Sequence, residues 1–126
     1  MAEYGIDRFV EELAELGFDV YKTVGSDNND YALIRNFKIP LGRFAGRIIE
    51  LGFQIPKDYP RLIHPSIHVK ASPQLLEHKD SIANVRNIIE SKLGNEWRYW
   101  SFRLSIISEK PALNIINQTN GIFYKI

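Results

Sequence analysis

His64 and His68 stand four residues apart, a spacing that on a helix would turn two imidazoles toward one metal ion. Pro65 lies between them, and Ile67 and Val69 alternate with Ser66, His68 and Lys70, so the segment reads as a strand. Along a strand, residues four apart are separated by roughly 13 Å, too far to share an ion. A hydrogen bond from His64 to a backbone carbonyl is the better role, and no metal is expected. The chain has no cysteine, which excludes disulfides, thiolate metal sites and thiol nucleophiles. It has no glycine-rich phosphate loop, no carboxylate pair spaced for acid–base work and no Ser-His-Asp order, so no cofactor is expected. Trp97, Tyr99 and Trp100 are the remaining concentration of functional side chains. Aromatics dominate binding hot spots, but an aromatic-rich extended segment also fills the core of a small α+β domain, and that account is favoured.

The elements that must position these residues follow from hydrophobic period. Ile6, Phe9, Val10, Leu13 and Leu16 recur at helical spacing over about residues 4 to 16, and Gly17 suits a left-handed stop. Phe18, Val20 and Val24 alternate loosely, and residues 25–30 are dense in turn formers. Tyr31, Leu33, Phe37 and Ile39 share one parity and predict a second strand facing one way. Ile49, Leu51, Phe53 and Ile55 alternate with Glu50, Gly52 and Gln54, the period-2 signature of a sheet with one buried face. Pro56 ends that strand, and Ile67 and Val69 mark a fourth. Ile82, Val85, Ile89 and Leu93 predict a helix over Ser81 to Leu93, with Gly94 as its stop. Residues Trp97 to Phe102 are predicted to be extended, with Ile106 and Ile107 continuing them. Pro111 suits the first turn of a last helix, where a missing N–H costs nothing. Leu113, Ile116, Phe123 and Ile126 form the expected buried stripe of that helix, and Gly121 weakens it. The expected fold is α+β: an N-terminal helix, a four-stranded antiparallel meander and C-terminal helices.

At 126 residues, residues 1–126 are expected to form one domain. A hydrophobic fraction of 44% against 25% charged residues is enough for one core without staples. The net charge of +1 and the lack of a Lys/Arg block argue against a nucleic-acid partner. No apolar run approaches the ~20 residues of a membrane span. The first residues read as an acidic amphipathic helix and not as a secretory leader. No membrane partner is expected, and a cytoplasmic setting is.

The order of these elements and several motifs together resemble the ubiquitin-conjugating enzyme fold. Arg8-Phe9-Val10-Glu11-Glu12-Leu13 resembles the leading R-x-x-x-E-L helix of that family. The stretch from Gly46 to Pro60 resembles the strand and turn ending F-P-x-D-Y-P, and Pro65-Ser66-Ile67-His68-Val69 resembles the P-K-V-x-F that opens the fourth strand. Leu104-Ser105-Ile106-Ile107 and Pro111-Ala112-Leu113-Asn114-Ile115 resemble C-L-x-I-L followed by S-P-A-L-x-I. Trp97-Arg98-Tyr99-Trp100-Ser101 is similar to a W-x-x-W-S element of bacterial ubiquitin-conjugating-like families. The resemblance covers most of the chain, least over residues 73–96.

It implies that Tyr59 and Pro60 shape the site, with the tyrosine packed under a flap that includes His64 and Pro65. It also puts Arg103 at the position of the catalytic cysteine. A conjugating enzyme carries its cargo as a thioester, which needs a thiolate that attacks and leaves well. A guanidinium stays protonated and does neither. Arg103 is left with binding a carboxylate through its fork, or with an ordinary outward-facing role. Ser101 and Ser105 flank it as acyl acceptors only if a base is adjacent, and none is visible in sequence. His64-Pro65-Ser66 lies near the family's H-P-N tripeptide, but Pro65 is better used as the flap proline. The resemblance therefore implies a non-catalytic or atypical member, whose partners would be a ubiquitin-like modifier and an activating-enzyme-like protein. An RWD-like protein-interaction scaffold without a modifier system is the alternative.

Overall fold

The computed structural model describes residues 2–77, 87–105 and 109–126. Helix α1 (Gly5–Glu15) is followed by strands β1 (Asp19–Val24), β2 (Asp30–Lys38), β3 (Ile48–Gln54), β4 (Ser66–Lys70), β5 (Asn87–Ser91) and β6 (Gly94–Ser101), then helix α2 (Pro111–Lys125). The strands form one sheet in the order β1-β2-β3-β4-β6-β5, and every pairing is antiparallel. The α+β class with flanking terminal helices matches the expectation. The sheet has six strands instead of four, and a single helix follows it among the described residues.

Part of the extra sheet comes from the segment expected to be helical. Residues Asn87–Ser91 form β5, paired with β6 from Asn87↔Ser101 to Glu90↔Arg98. The Ser81–Leu93 helix is thus incorrect over its second half, while Ser81 to Arg86 lie outside the described residues, as do Ile106 and Ile107. Two successive isoleucines, Ile88 and Ile89, permitted either period. Ile88 is buried and Ile89 is 45% exposed, which is the alternation of an edge strand.

α1 buries Phe9 and Leu13, and Gly17 ends it at φ +95°, where the Phe18 N–H bonds the Leu13 carbonyl. α2 buries Ala112, Ile115, Ile116, Thr119 and Phe123. Both helices share the main core with Ile49, Leu51 and Phe53 of β3, Ile67 and Val69 of β4, and Trp100 of β6. Phe18 and Val20 pack against this core, while Val24, which shares their alternation, is 59% exposed.

β2 does not keep one parity. Its register shifts between Ile34 and Phe37, with Asn36 at φ +53°. Such a bulge inserts a residue and flips the side-chain alternation beyond it. Ala32, Ile34, Phe37 and Ile39 therefore enter the main core, while Tyr31 and Leu33 join Trp97 in a second buried cluster, against which Tyr21 and Leu93 pack.

That cluster lies on the sheet face opposite the helices. The face is roofed by the chain's own turns: the Ser26 N–H, between β1 and β2, bonds the Lys92 carbonyl, between β5 and β6, at 2.9 Å. A side chain on Gly52 would meet Leu33 and Leu93 at 2.7 and 3.1 Å, so the missing Cβ of β3 is what admits Leu93.

Candidate functional site

The segment singled out by the resemblance runs from the end of β6 toward α2. Ser101 is the last residue of β6, opposite Ser66 of β4 and half-buried. Arg103 is exposed, and no described acceptor bonds its guanidinium. Ser105 is also exposed, and its backbone is clamped to α2: its N–H donates to Gln118 Oε1 at 3.0 Å, and Gln118 Nε2 donates to its carbonyl. Gln118 is braced by Asn114 Oδ1 at 2.8 Å. Neither serine hydroxyl is hydrogen-bonded to a described histidine or carboxylate. The arrangement presents one guanidinium on a backbone fixed at both ends, by strand pairing and by Gln118, which suits carboxylate recognition and not acyl transfer.

Tyr59 and Pro60 belong to the connection between β3 and β4. Tyr59 is fully buried, with its ring edge-on to Phe9 at 5.1 Å. Its hydroxyl donates to Glu12 Oε1 at 2.7 Å. Burial first, and then the Glu12 carboxylate, push the phenol far above its ordinary range. The Tyr59 carbonyl accepts from the Gly5 N–H at 3.0 Å, so this turn, with its cis Tyr59–Pro60 bond, holds the start of α1. Pro65 immediately precedes β4, and its carbonyl accepts from the Phe102 N–H at 3.2 Å.

His64 does not bond a backbone carbonyl as expected. Its Nδ1 is 2.9 Å from the Ser66 hydroxyl, because β4 turns the Ser66 side chain back over the approach to the strand. Among the aromatic residues, Trp100 is fully buried and Trp97 is 6% exposed, so packing accounts for both. Tyr99 behaves differently and lines a cleft.

The cleft, of about 220 Å³, opens between the two roofing turns and includes Tyr31, Gln54, His64, His68, Ile89 and Tyr99 in its walls. Asp27, Glu90 and Lys92 supply its charged groups. His68 is the centre of this group. It is 1% exposed, and its ring is edge-on to Tyr31 at 5.1 Å and to Tyr99 at 5.3 Å. Its Nδ1 is 2.7 Å from the Ser91 hydroxyl, which already accepts the Leu93 N–H at 3.0 Å. The hydroxyl can close the bond to Nδ1 as a donor or, through its second lone pair, as an acceptor, and the imidazole tautomer sets which. Nε2 is buried and has no hydrogen-bond partner in the protein.

Burial, reinforced by the nearby His64 and opposed by Asp27, pulls His68 down to about 3. Burial also lowers His64, again against Asp27. Both imidazoles are consequently neutral at pH 7. The Tyr31 hydroxyl donates to Asp27 Oδ2 at 2.9 Å, and burial followed by this bond raises the phenol well above its usual range. Burial alone would raise Asp27, but the Asn29 side chain, the Asn29 N–H and Tyr31 all donate to it and lower it overall. Among the described residues no three His, Asp or Glu side chains group closely enough to hold a metal ion. No helix among them is long and apolar enough to cross a membrane.

Sequence reasoning noted His64, His68 and Tyr99 one at a time and did not join them. Asp27 and Ser91 were read only as parts of a turn and of a helix. The parity of Ser66, His68 and Lys70 on the polar side of β4 was a usable signal. What it lacked was the pairing of β4 with β6, which lies 28 residues further on and brings Tyr99 opposite His68. Comparison with known proteins gives no match among family models, curated proteins or solved structures.

Proposed function

We propose that the chain is a non-catalytic or atypical ubiquitin-conjugating-like domain of a cytoplasmic, bacterial-type modification system. It would bind a ubiquitin-like modifier, an activating-enzyme-like partner, or both. The observation that carries the reading is Arg103: an exposed guanidinium with no described partner, at the position where the motif resemblance calls for the nucleophile. The Ser105 backbone two residues on is pinned to α2 by Gln118. The order of α1, a β1–β4 meander, the Asp58-Tyr59-Pro60 turn and the Pro111-Ala112-Leu113 start of α2 supports the same reading. A fixed arginine suits a partner's carboxylate, and a bidentate pair there would be stronger than an ordinary neutral hydrogen bond.

The reading is tested with a modifier and activating enzyme encoded beside this chain. Binding to either, measured calorimetrically and weakened in Arg103→Glu without loss of thermal stability, supports it. A covalent adduct formed with ATP would overturn the non-catalytic part. Absence of binding to both would overturn the whole. An RWD-like protein-interaction scaffold with no modifier system is the second reading, and the lack of a described base beside Ser101 or Ser105 fits it equally. Binding to a protein outside any modification system, through the same arginine, would decide for the scaffold.

A further inference from the structure

We propose that the outward face of α2 is a docking surface for a second copy of this chain, paired across a two-fold axis with the two α2 helices antiparallel. The basic end of each helix then meets the acidic end of the other. The pairing does not rest on any role for Arg103.

The first support is the composition of the face. The inward stripe of α2 uses Ala112, Ile115, Ile116, Thr119 and Phe123. Leu113, Asn117, Gly121 and Tyr124 follow one another at spacings of four, four and three, which places them in one row on the other side. Asn117 is exposed, and Tyr124 is 64% exposed. Surface helices ordinarily carry charge on this side, yet no residue from Pro111 to Tyr124 is charged. The centres of protein interfaces are depleted in charge and enriched in tyrosine.

The second support is Gly121. Glycine is among the least favourable residues inside a helix. A Cβ added at Gly121 would meet nothing within 4 Å, and its φ is not positive. Neither the backbone nor the packing of this chain therefore calls for glycine there. Close approach of a second helix would, because glycine lets another backbone come near.

The third support is charge at the two ends. Residues 31–49 and 110–126 contain six Lys or Arg and no Asp or Glu. Gly42 packs so tightly on the backbone of Phe123 and Tyr124 that no side chain fits, which brings the exposed Arg43 beside the exposed Lys125. At the other end of α2, Glu12, Glu15, Glu109 and Lys110 line a groove of about 310 Å³ that also includes Leu16 and Leu113. No ion pair among the described residues uses Arg43, Lys125, Glu15 or Glu109. The 15 residues of α2 hold these ends about 22 Å apart, so one copy cannot match them to each other. An antiparallel partner offers each end its complement, and two matched contacts close an isologous pair. The net charge of +1 sets up no general repulsion between copies. One helix face is smaller than the roughly 800 Å² per partner of a standard interface, so the dimer is weak and salt-sensitive.

Sedimentation of the full chain over a concentration series reaching about 1 mM, the weak end of the affinity range, tests the pairing at low and at high salt. A monomer–dimer equilibrium that loosens as salt rises is expected. Gly121→Leu fills open space in the monomer and blocks the approach, so it should weaken the dimer about tenfold or more without lowering Tm. Asn117→Glu sets charge against an uncharged face and should act likewise. Arg43→Glu with Lys125→Glu, and separately Glu15→Lys with Glu109→Lys, should each weaken self-association, and mixing the two variants should restore a one-to-one pair. A monomer at every concentration would overturn the proposal. An undiminished dimer in both face variants would overturn the face. Failure of the mixed variants to pair, or open-ended growth beyond a dimer, would overturn the antiparallel arrangement.

Discussion

Acidification of the wild-type protein and of His68→Phe should separate sharply. His68 titrates near 6.5 in an unfolded chain and at about 3 in the fold. Between those values the unfolded state binds one proton more than the folded state, so stability rises with pH across that range. The contribution is fully present above about pH 6.5 and is lost as pH falls toward about 3. The slope is about 1.4 kcal/mol per pH unit, so moving from pH 7 to pH 5 should remove about 2 kcal/mol through His68 alone. His64, also depressed by burial, acts with the same sign and is common to both proteins, as are the carboxylates. The phenyl ring keeps the edge contacts with Tyr31 and Tyr99 and cannot titrate. Urea unfolding at the two pH values gives the double difference. The wild type should lose about 2 kcal/mol more than the variant. An equally steep loss in both would refute a buried, neutral His68, whatever the absolute stabilities.

Three further substitutions probe the scaffold. Gly52→Ala places a Cβ 2.7 Å from Leu33 Cδ2 and 3.1 Å from Leu93 Cδ1. Since these are side-chain ends, overpacking should cost about 1–2 kcal/mol, with faster hydrogen exchange at the Ser26 amide that bonds Lys92. Gly42→Ala should be far worse, about 3 kcal/mol or more. There φ is +85° and the new Cβ would meet the Phe123 carbonyl oxygen, which is backbone and cannot rotate away; a large drop in Tm checks it. Tyr59→Phe removes the 2.7 Å bond to Glu12 and should cost about 1.5 kcal/mol in chemical denaturation, without altering behaviour at the His68 cleft.

The helices and the first four strands were legible because their signals are local. Leu51 and Phe53 alternate with Gly52 and Gln54 without interruption, and Phe9 and Leu13 recur at one helical spacing. β2 was legible as a strand but not in its facing: the bulge at Arg35 and Asn36 reverses the alternation, so Tyr31 and Phe37, equal in parity, face opposite sides of the sheet. β5 was misread because Ile89 and Leu93 also fit a helical stripe. Leu93 is apolar for a different reason, since it packs with the second cluster over Gly52. The candidate cleft was illegible because its parts come from β2, β3, β4, β5 and β6, and nothing local encodes that β4 and β6 are neighbours.

An antiparallel sheet with helices on one face can leave the other to water when that face is polar. Here the second face carries Tyr31, Leu33 and Trp97, which cannot be left wet without cost, and no described helix covers them. The chain solves this by folding two of its own turns over the face, joined by the Ser26–Lys92 bond. A roof made of turn tips and one leucine covers less area than a helix. Leu93 closes the space above Gly52, while toward Gln54 and His64 the two turns leave the cleft between them. The cavity and the unpartnered His68 thus follow from the way the second face is covered. The consequence for Arg103 is equally direct. Trp97 and Trp100 are consumed by packing, so the proposed recognition of a protein partner near the end of β6 would rest on Arg103 and the exposed backbone held by Gln118. An interface built on one guanidinium would owe more of its specificity to charge than to buried area, and its affinity should fall as salt rises.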